Sequence, residues 1–520
     1  MKIKGLVLSL LTLLMTMGMS LMPIYAADVE VTKITANTQV GDGQREVYQF
    51  VIEVKDASML QDLSAADFDI VNNSSTVPFD IKTSNWAQDY ADDGIVLKLD
   101  GNKIIMDVKP FCYAGKYKSD FSFRRDAWEV NCTKHSELSF KAEDVDVVQT
   151  QVLDDAIKGK FTYAGLTREY ALYVPKDAQG KQMKNVPLVV WNHGGGEYKG
   201  KLDDTLVANK GLTAWVDAGY ETAVLMIQVS NANYSYGTAN APDRQLLIDQ
   251  NNALQAALIR QLISEGTVDK DRVYVTGASS GGGATMRFLM QYPELFAGAI
   301  ACCSMDPIVN VHNQSFATLG KSARAQRESF ETIVSNFENA FQGVVYTWSE
   351  EKGQMISKDI DTKALLEVPI YFTHAQNDPT CHEESSKAMY QALLNLGAKN
   401  NKLTVWSDDE MAEDGISNAF GASLLHWSWV KVFNHNEEGA PMNWLFKQAK
   451  KQEVIVQPQP ENPQPEKPGV DNNPSEETNQ KPNQVNKGVE TGDHSMIALM
   501  GTMTLLSAGV YLGIRKFESE

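Results

Sequence analysis

From about residue 150 onward the chain alternates two kinds of segment, and this alternation limits its fold more than any other feature. Near-continuous apolar runs stand at Pro187 to Asn192, Thr222 to Gln228, Arg272 to Thr276, Ala297 to Cys302 and Pro369 to Thr373. Such runs are too short for helices and apolar on successive residues, so they read as strands covered on both faces. Between them lie helical patterns such as Gln245 to Glu265 and Glu384 to Leu396, and an antiparallel pair, Gly159 to Tyr163 and Tyr170 to Val174, leads in. The pattern predicts an α/β domain over residues 151–453, a mostly parallel sheet with helices on both faces. Chemistry in such a sheet belongs at the carboxyl ends of its strands.

Directly after the run Arg272 to Thr276 stands Gly277-Ala278-Ser279-Ser280-Gly281, then a helix-compatible stretch, Ala284 to Tyr292. A G-x-S-x-G match between strand and helix forces a turn so sharp that the middle residue is strained and its neighbours must be small. Ser279 is therefore the candidate nucleophile. Ser280 competes as a serine, but the motif makes it the next residue, whose N–H at the helix start would help stabilise an oxyanion. Upstream, the run Pro187 to Asn192 ends in His193-Gly194-Gly195-Gly196. A glycine run there lets backbone N–H groups approach a reacting carbonyl, with Gly195 the expected second donor and His193 orienting the loop.

The acid is expected just past Pro369 to Thr373, at Asp378 in His374-Ala375-Gln376-Asn377-Asp378-Pro379. Its alternative reading is a helix cap before Glu384, and Asp408 and Asp409 are rivals after the strand-like run Lys402 to Trp406. Only eight histidines exist, and His382, His426, His435 and His494 follow the acid. His382 is too near Asp378, His494 lies in a polar tail and His435 reads as a surface residue, which leaves His426 as the base. Trp427 and Trp429 beside it, and Tyr234 and Tyr236 further upstream, are candidate stacking partners for an aromatic acid or sugar ring. For the two tryptophans, core packing is an equal alternative. The segment Asp306 to Leu366 is long enough for a lid or a pocket wall. No metal-ligand spacing and no cofactor motif is present.

With these residues in place, the stretch from about 158 to 450 resembles the α/β-hydrolase esterases. More narrowly it is similar to extracellular bacterial esterases of the feruloyl-esterase and polyhydroxybutyrate-depolymerase-like group, some of which carry a leading immunoglobulin-like domain. The resemblance implies a triad of Ser279, Asp378 and His426, an oxyanion hole from the N–H groups of Ser280 and Gly195, and acyl-enzyme chemistry on an ester, acylated plant polysaccharide included. A prolyl-oligopeptidase-type peptidase and a non-catalytic glycan-binding surface protein are the alternatives.

Residues 27–150 alternate apolar and polar positions in short bursts, Tyr48 to Val54, Gly94 to Leu99, Lys103 to Val108 and Glu137 to Ala142, which predicts a β-sandwich, and the resemblance above implies that it is immunoglobulin-like. Residues 1–26 read as an export signal, with Lys2 and Lys4 before the apolar run Leu6 to Met22 and a small-residue exit at Ala26. Residues 454–494 read as a Pro-rich stalk, and Met496 to Ile514, followed by Arg515 and Lys516, is long enough at about 28 Å to span a bilayer; with Gly488 to Asp493 ahead of it, the layout resembles the cell-wall sorting signal of Gram-positive surface proteins. The expected location is the surface of a Gram-positive cell, reached through sortase processing or a retained anchor. The net charge of −19 argues against a nucleic-acid partner. Five cysteines, Cys112, Cys132, Cys302, Cys303 and Cys381, leave one unpaired at least, with a Cys381 bridge to Cys302 or Cys303 left open.

Overall fold

The computed structural model describes residues 29–72, 94–116, 123–125, 127–197, 201–229, 241–305, 329–416 and 424–450. The expected export signal, stalk and C-terminal apolar segment lie outside these residues. Among the described residues no helix is long and apolar enough to cross a membrane.

The apolar runs form one eight-stranded sheet. Numbered within it, the strands are β1 (Ile157–Tyr163), β2 (Leu166–Tyr173), β3 (Val186–Asn192), β4 (Ala223–Ile227), β5 (Val268–Ala278), β6 (Gly298–Cys302), β7 (Ile370–Ala375) and β8 (Lys402–Trp406). Their spatial order is β1-β2-β4-β3-β5-β6-β7-β8. The β1–β2 and β2–β4 pairs are antiparallel and the rest parallel. Period-two alternation divides the core: Leu188, Val190, Val273, Val275, Ala299 and Ala301 face one layer, while Val189, Trp191, Tyr274, Ile300 and Cys302 face the other. The first layer is covered by α1 (Ala241–Ser264), α2 (Ser280–Gln291), α3 (Phe330–Phe341) and α4 (Glu383–Leu396), and the second by shorter pieces that include α5 (Ser428–Asn434). The register aligns the strand ends, with Asn192 beside Gly277, Ala278 beside Cys302 and Ala375 beside Trp406. The loops that follow these strands therefore emerge along one edge of the sheet.

The described part of the segment expected as a lid or a pocket wall, from residue 329 on, packs into the core. Ile333, Val334, Phe337 and Phe341 of α3 are buried in the first layer, and α3 lies along α4. A hairpin of Val344–Ser349 and Gln354–Asp359 adds Val345 to the same core.

The leading region is two β-sheets over a common core. One sheet runs in the order Val96–Asp100, Lys103–Lys116, Gln44–Val54, Val31–Val40 and Asp146–Val148, with Phe123–Arg125 added on Lys103–Lys116. The other holds Phe68–Asn72, Trp128–Cys132 and Phe140–Lys141. Phe50 of the first sheet meets Trp128 and Phe140 of the second at ring-centroid distances of 5.3 and 5.1 Å, which closes the core between them. The strand expected to end at Val108 continues through Pro110 to Lys116. Pro110 falls where the register against Gln44–Val54 slips, a bulge at which no ladder donor is needed. The strand expected at Glu137 to Ala142 is instead a short turn of helix, Ser136–Leu138, followed by the two-residue strand Phe140–Lys141. Val40 reaches out of this region into the second core layer of the α/β sheet, and Lys210 Nζ lies 2.8 Å from the buried Asp42 carboxylate.

Candidate active site

β5 ends at Ala278 and α2 begins at Ser280, so the whole change of direction falls on Ser279. Its backbone takes φ 58° and ψ −121°, a conformation that costs a non-glycine residue about 1–3 kcal/mol. Three backbone hydrogen bonds hold it there. Its N–H donates to the Cys302 carbonyl at 3.0 Å, and its own carbonyl accepts from Gly283 and Met305, both at 3.1 Å. The glycines are required for clearance. A Cβ on Gly277 would collide with the Gly281 carbonyl oxygen, and one on Gly281 with the carbonyl oxygens of Asn192 and His193. Helix α2 is thereby pressed onto the end of β3. Gly281→Ala is expected to destabilise the fold by about 3 kcal/mol, because neither carbonyl is a flexible side-chain end that can move aside. Thermal melting reads this, and an unchanged melting temperature would show that the turn tolerates a side chain.

The glycine loop after β3 borders this turn. A Cβ on Gly194 would lie 3.7 Å from Ser279 Cβ and 3.5 Å from the Ala278 carbonyl, so the loop runs alongside the serine. Gly195 follows as the first residue of a single helical turn, Gly195–Glu197. His193 is buried, and its Nε2 accepts the Val229 N–H at 3.0 Å. That bond leaves the ring proton on Nδ1, which donates to the Gly194 carbonyl at 2.9 Å. The loop is thus tied to the segment after β4. On the other side of the serine, Ser280 opens α2, where the first N–H groups of a helix have no intrahelical partner and its dipole favours negative charge.

Asp378 lies past the end of β7, 1 % exposed, and the structure brings His426 to it: His426 Nδ1 is 2.7 Å from Asp378 Oδ2. Oδ1 accepts the backbone N–H groups of Thr380 and Cys381 at 2.8 and 3.0 Å. Burial alone would push the carboxyl's pKa up, but the charge of His426 and hydrogen bonds from His374 and His426 outweigh it and hold the group well below the usual carboxylate range. Asp378 is therefore ionised. The rivals are occupied elsewhere: both Asp408 oxygens accept from Asn377 Nδ2 at 2.9 Å, His382 caps the start of α4, and His435 pairs with Asp414.

Ser279 Oγ faces a thiol, Cys381 Sγ, at 3.8 Å, and among the described residues no hydrogen bond joins it to His426. Nucleophile–base bonds in ligand-free sites are often long and tighten with substrate. Cys303 Sγ, an Asp378 oxygen and a His426 nitrogen lie within 4.8 Å of one another. His426 Nδ1 is already engaged with Asp378, which makes this cluster a hydrogen-bond network first. Cys302, Cys303 and Cys381 are buried and form no disulfide, so the Cys381 bridge left open by sequence is not formed. Burial pushes the Cys302 thiol up to about 12, and burial together with the nearby Asp378 charge pushes Cys303 and Cys381 well above the ordinary value. The thiols stay protonated and line the serine without rivalling it as nucleophiles.

Trp427 and Trp429 are buried in the second core layer, 7 % and 8 % exposed, and stack on each other with centroids 5.5 Å apart. Trp429 also meets the His426 ring edge-on at 5.7 Å. Packing is thus the role the geometry gives both rings, and it holds the imidazole plane. Tyr234 and Tyr236 lie outside the described residues. One residue at the site was passed over in the sequence: His374, the penultimate residue of β7, fully buried, with Nε2 3.2 Å from Asp378 Oδ2. The signal was a histidine inside a strand otherwise buried and apolar, four residues before the acid.

A model of the prolyl oligopeptidase family matches residues 249–410, a stretch that contains Ser279 and Asp378 and stops short of His426. The para-nitrobenzyl esterase of Bacillus subtilis (strain 168) is 32 % identical over 161 residues, 28 % of this chain and 32 % of that protein. The acylamino-acid-releasing enzyme of Mus musculus is 27 % identical over 154 residues, 29 % of this chain and 19 % of that one. The chain thus spans about a third and a fifth of these two relatives. Among solved structures, a thermostable esterase superposes with a TM-score of 0.52 at 20 % identity, covering 81 % of this chain and 100 % of that one. That likeness, with the strand order above, shows an α/β-hydrolase fold.

Proposed function

We propose that this chain is a serine hydrolase that cleaves carboxylic esters through an acyl-enzyme. The observation that carries the reading is Ser279, held strained at the strand-to-helix turn on the same sheet edge as the hydrogen-bonded Asp378–His426 pair. His426 takes the Ser279 proton as the oxygen attacks the ester carbonyl, and returns it to the departing alcohol as the ester C–O bond breaks to leave the acyl-enzyme. Asp378 holds the tautomer with the proton on Nδ1 and stabilises the imidazolium. The N–H of Ser280, with that of Gly195 from the adjoining loop, receives the developing oxyanion, and water later releases the acid. The para-nitrobenzyl esterase relative supports the ester reading.

The two-sheet leading region is read here as an immunoglobulin-like domain. The basic-apolar leader and the Pro-rich tail with its apolar end support export and surface tethering, where acylated plant polysaccharide and small aryl esters are the substrates proposed. A peptidase is the second reading, favoured by the family match and by the acylamino-acid-releasing relative. Purified protein should turn over p-nitrophenyl acetate and feruloylated or acetylated esters at least about 10³-fold faster in kcat/KM than an N-acetylated amino-acid p-nitroanilide, a gap of about 4 kcal/mol in transition-state binding. Equal or faster amide cleavage would replace the esterase reading with the peptidase one.

A further inference from the structure

We propose that His374 is a positioning residue for this chemistry: a second imidazole beside Asp378 that fixes the carboxylate on which His426 depends. The inference rests on the catalytic reading of Ser279, Asp378 and His426 given above. His374 is fully buried at the end of β7. Its Nε2 has two neighbours, the Cys381 carbonyl oxygen at 2.7 Å and Asp378 Oδ2 at 3.2 Å, and both can only accept. Nε2 must therefore carry a proton. Its Nδ1 lies 2.8 Å from Ser386 Oγ on α4, a hydroxyl able to donate. That hydroxyl can donate or accept, so the ring is held in place at both nitrogens.

This arrangement surrounds the acid completely. Oδ1 holds two backbone N–H groups, and Oδ2 faces His426 Nδ1 on one side and His374 Nε2 on the other. His374 also binds the carbonyl of Cys381, whose N–H is one of the Oδ1 donors, so one ring braces both the carboxylate and the turn that carries it. The other titratable groups facing this cluster are thiols, Cys303 from beyond β6 and Cys381 from the turn, both held protonated. Among the described residues these thiols therefore add no charge beside Asp378. The Nε2–H donates to the Cys381 carbonyl at 2.7 Å and sits 3.2 Å from Oδ2, so the positive end of its dipole also faces the carboxylate and limits how strongly Asp378 holds a proton on His426.

The test compares wild type, His374→Gln and His374→Leu for p-nitrophenyl acetate hydrolysis across pH, with melting temperature and folded fraction measured on the same samples. Leucine removes the donor. It is expected to lower kcat about 10²-fold with KM little changed, as a small displacement of a catalytic group does, and to move the acidic limb of kcat/KM upward by up to about one pH unit. Glutamine places an amide N–H near the position of Nε2 and is expected to restore most of kcat and the wild-type limb. A purely structural histidine would give a lower melting temperature with an unmoved limb in the folded fraction. That result, or a glutamine variant as impaired as leucine, overturns the proposal. If Ser279→Ala retains activity, the catalytic reading itself fails. Loss of activity in Ser279→Ala beside unaffected His374 variants removes the positioning role alone.

Discussion

Replacing Ser279 with alanine is expected to lower p-nitrophenyl acetate hydrolysis by at least about 10⁴-fold while leaving the melting temperature within a few degrees of wild type. The side chain touches little: Cys381 Sγ is 3.8 Å from its hydroxyl, and the three hydrogen bonds that hold the turn are made by its backbone. Alanine keeps the Cβ and the strain, so only chemistry is lost. Glycine at the same position separates the two effects. It adopts φ 58° without a steric penalty, so Ser279→Gly should be equally inactive and yet more stable than Ser279→Ala by about 1 kcal/mol. Kinetics and thermal melts of both variants check this. Activity surviving in either would show that another group attacks the ester, and equal melting temperatures would show that the turn stores no strain.

The second large effect is on folding, and it comes from a charge pair far from solvent. Asp249 of α1 and Arg287 of α2 are 0 % and 1 % exposed and joined by two hydrogen bonds of 2.7 Å, and Asp249 Oδ2 also accepts the Tyr346 N–H at 2.7 Å. One carboxylate thus binds the helix behind Ser279, its neighbour α1 and the first strand of the hairpin. Asp249→Ala strands a guanidinium in the core and is expected to cost about 3–5 kcal/mol. Replacing both partners with apolar residues of similar volume, Asp249→Leu with Arg287→Met, should recover most of that loss, because the main penalty is the unpaired charge. Denaturant unfolding of the two single variants and the double variant tests the argument. A double variant no better than Asp249→Ala would mean that the bond to Tyr346, not charge pairing, carries the effect.

How much of this was legible in the sequence differs by element, for physical reasons. The runs Pro187 to Asn192 and Ala297 to Cys302 were readable because strands covered on both faces cannot hide their apolar pattern, and they deviate from β3 and β6 only at their first residue. Asp378 and His426 were reachable by chain order and elimination. His374 was not, since it precedes the acid in the chain and its role depends on contacts that no local pattern encodes. In the leading region Phe68–Asn72 and Trp128–Cys132 went unread, because strands this short between polar turns carry too few alternations to stand out. The segment Asp306 to Leu366 was read by its length as a lid or a pocket wall. The burial of α3 within it was nevertheless foreshadowed by the apolar spacing of Ile333, Val334, Phe337 and Phe341, a helix face that needs a partner.

The leading region also sets a timetable. Val31–Val40, its earliest described strand, pairs in parallel with Asp146–Val148, its last, and Thr38 Oγ1 donates to the Val148 carbonyl 110 residues away. A ribosome or export channel delivers Val31 first and must release nearly the whole region before that partner arrives. Until then the outer side of Val31–Val40 is an open hydrogen-bonding edge. Completion of the sheet therefore coincides with arrival of Gln151–Asp155, the short helix that begins the α/β region. The leading sheet can thus close only as the α/β region starts to emerge.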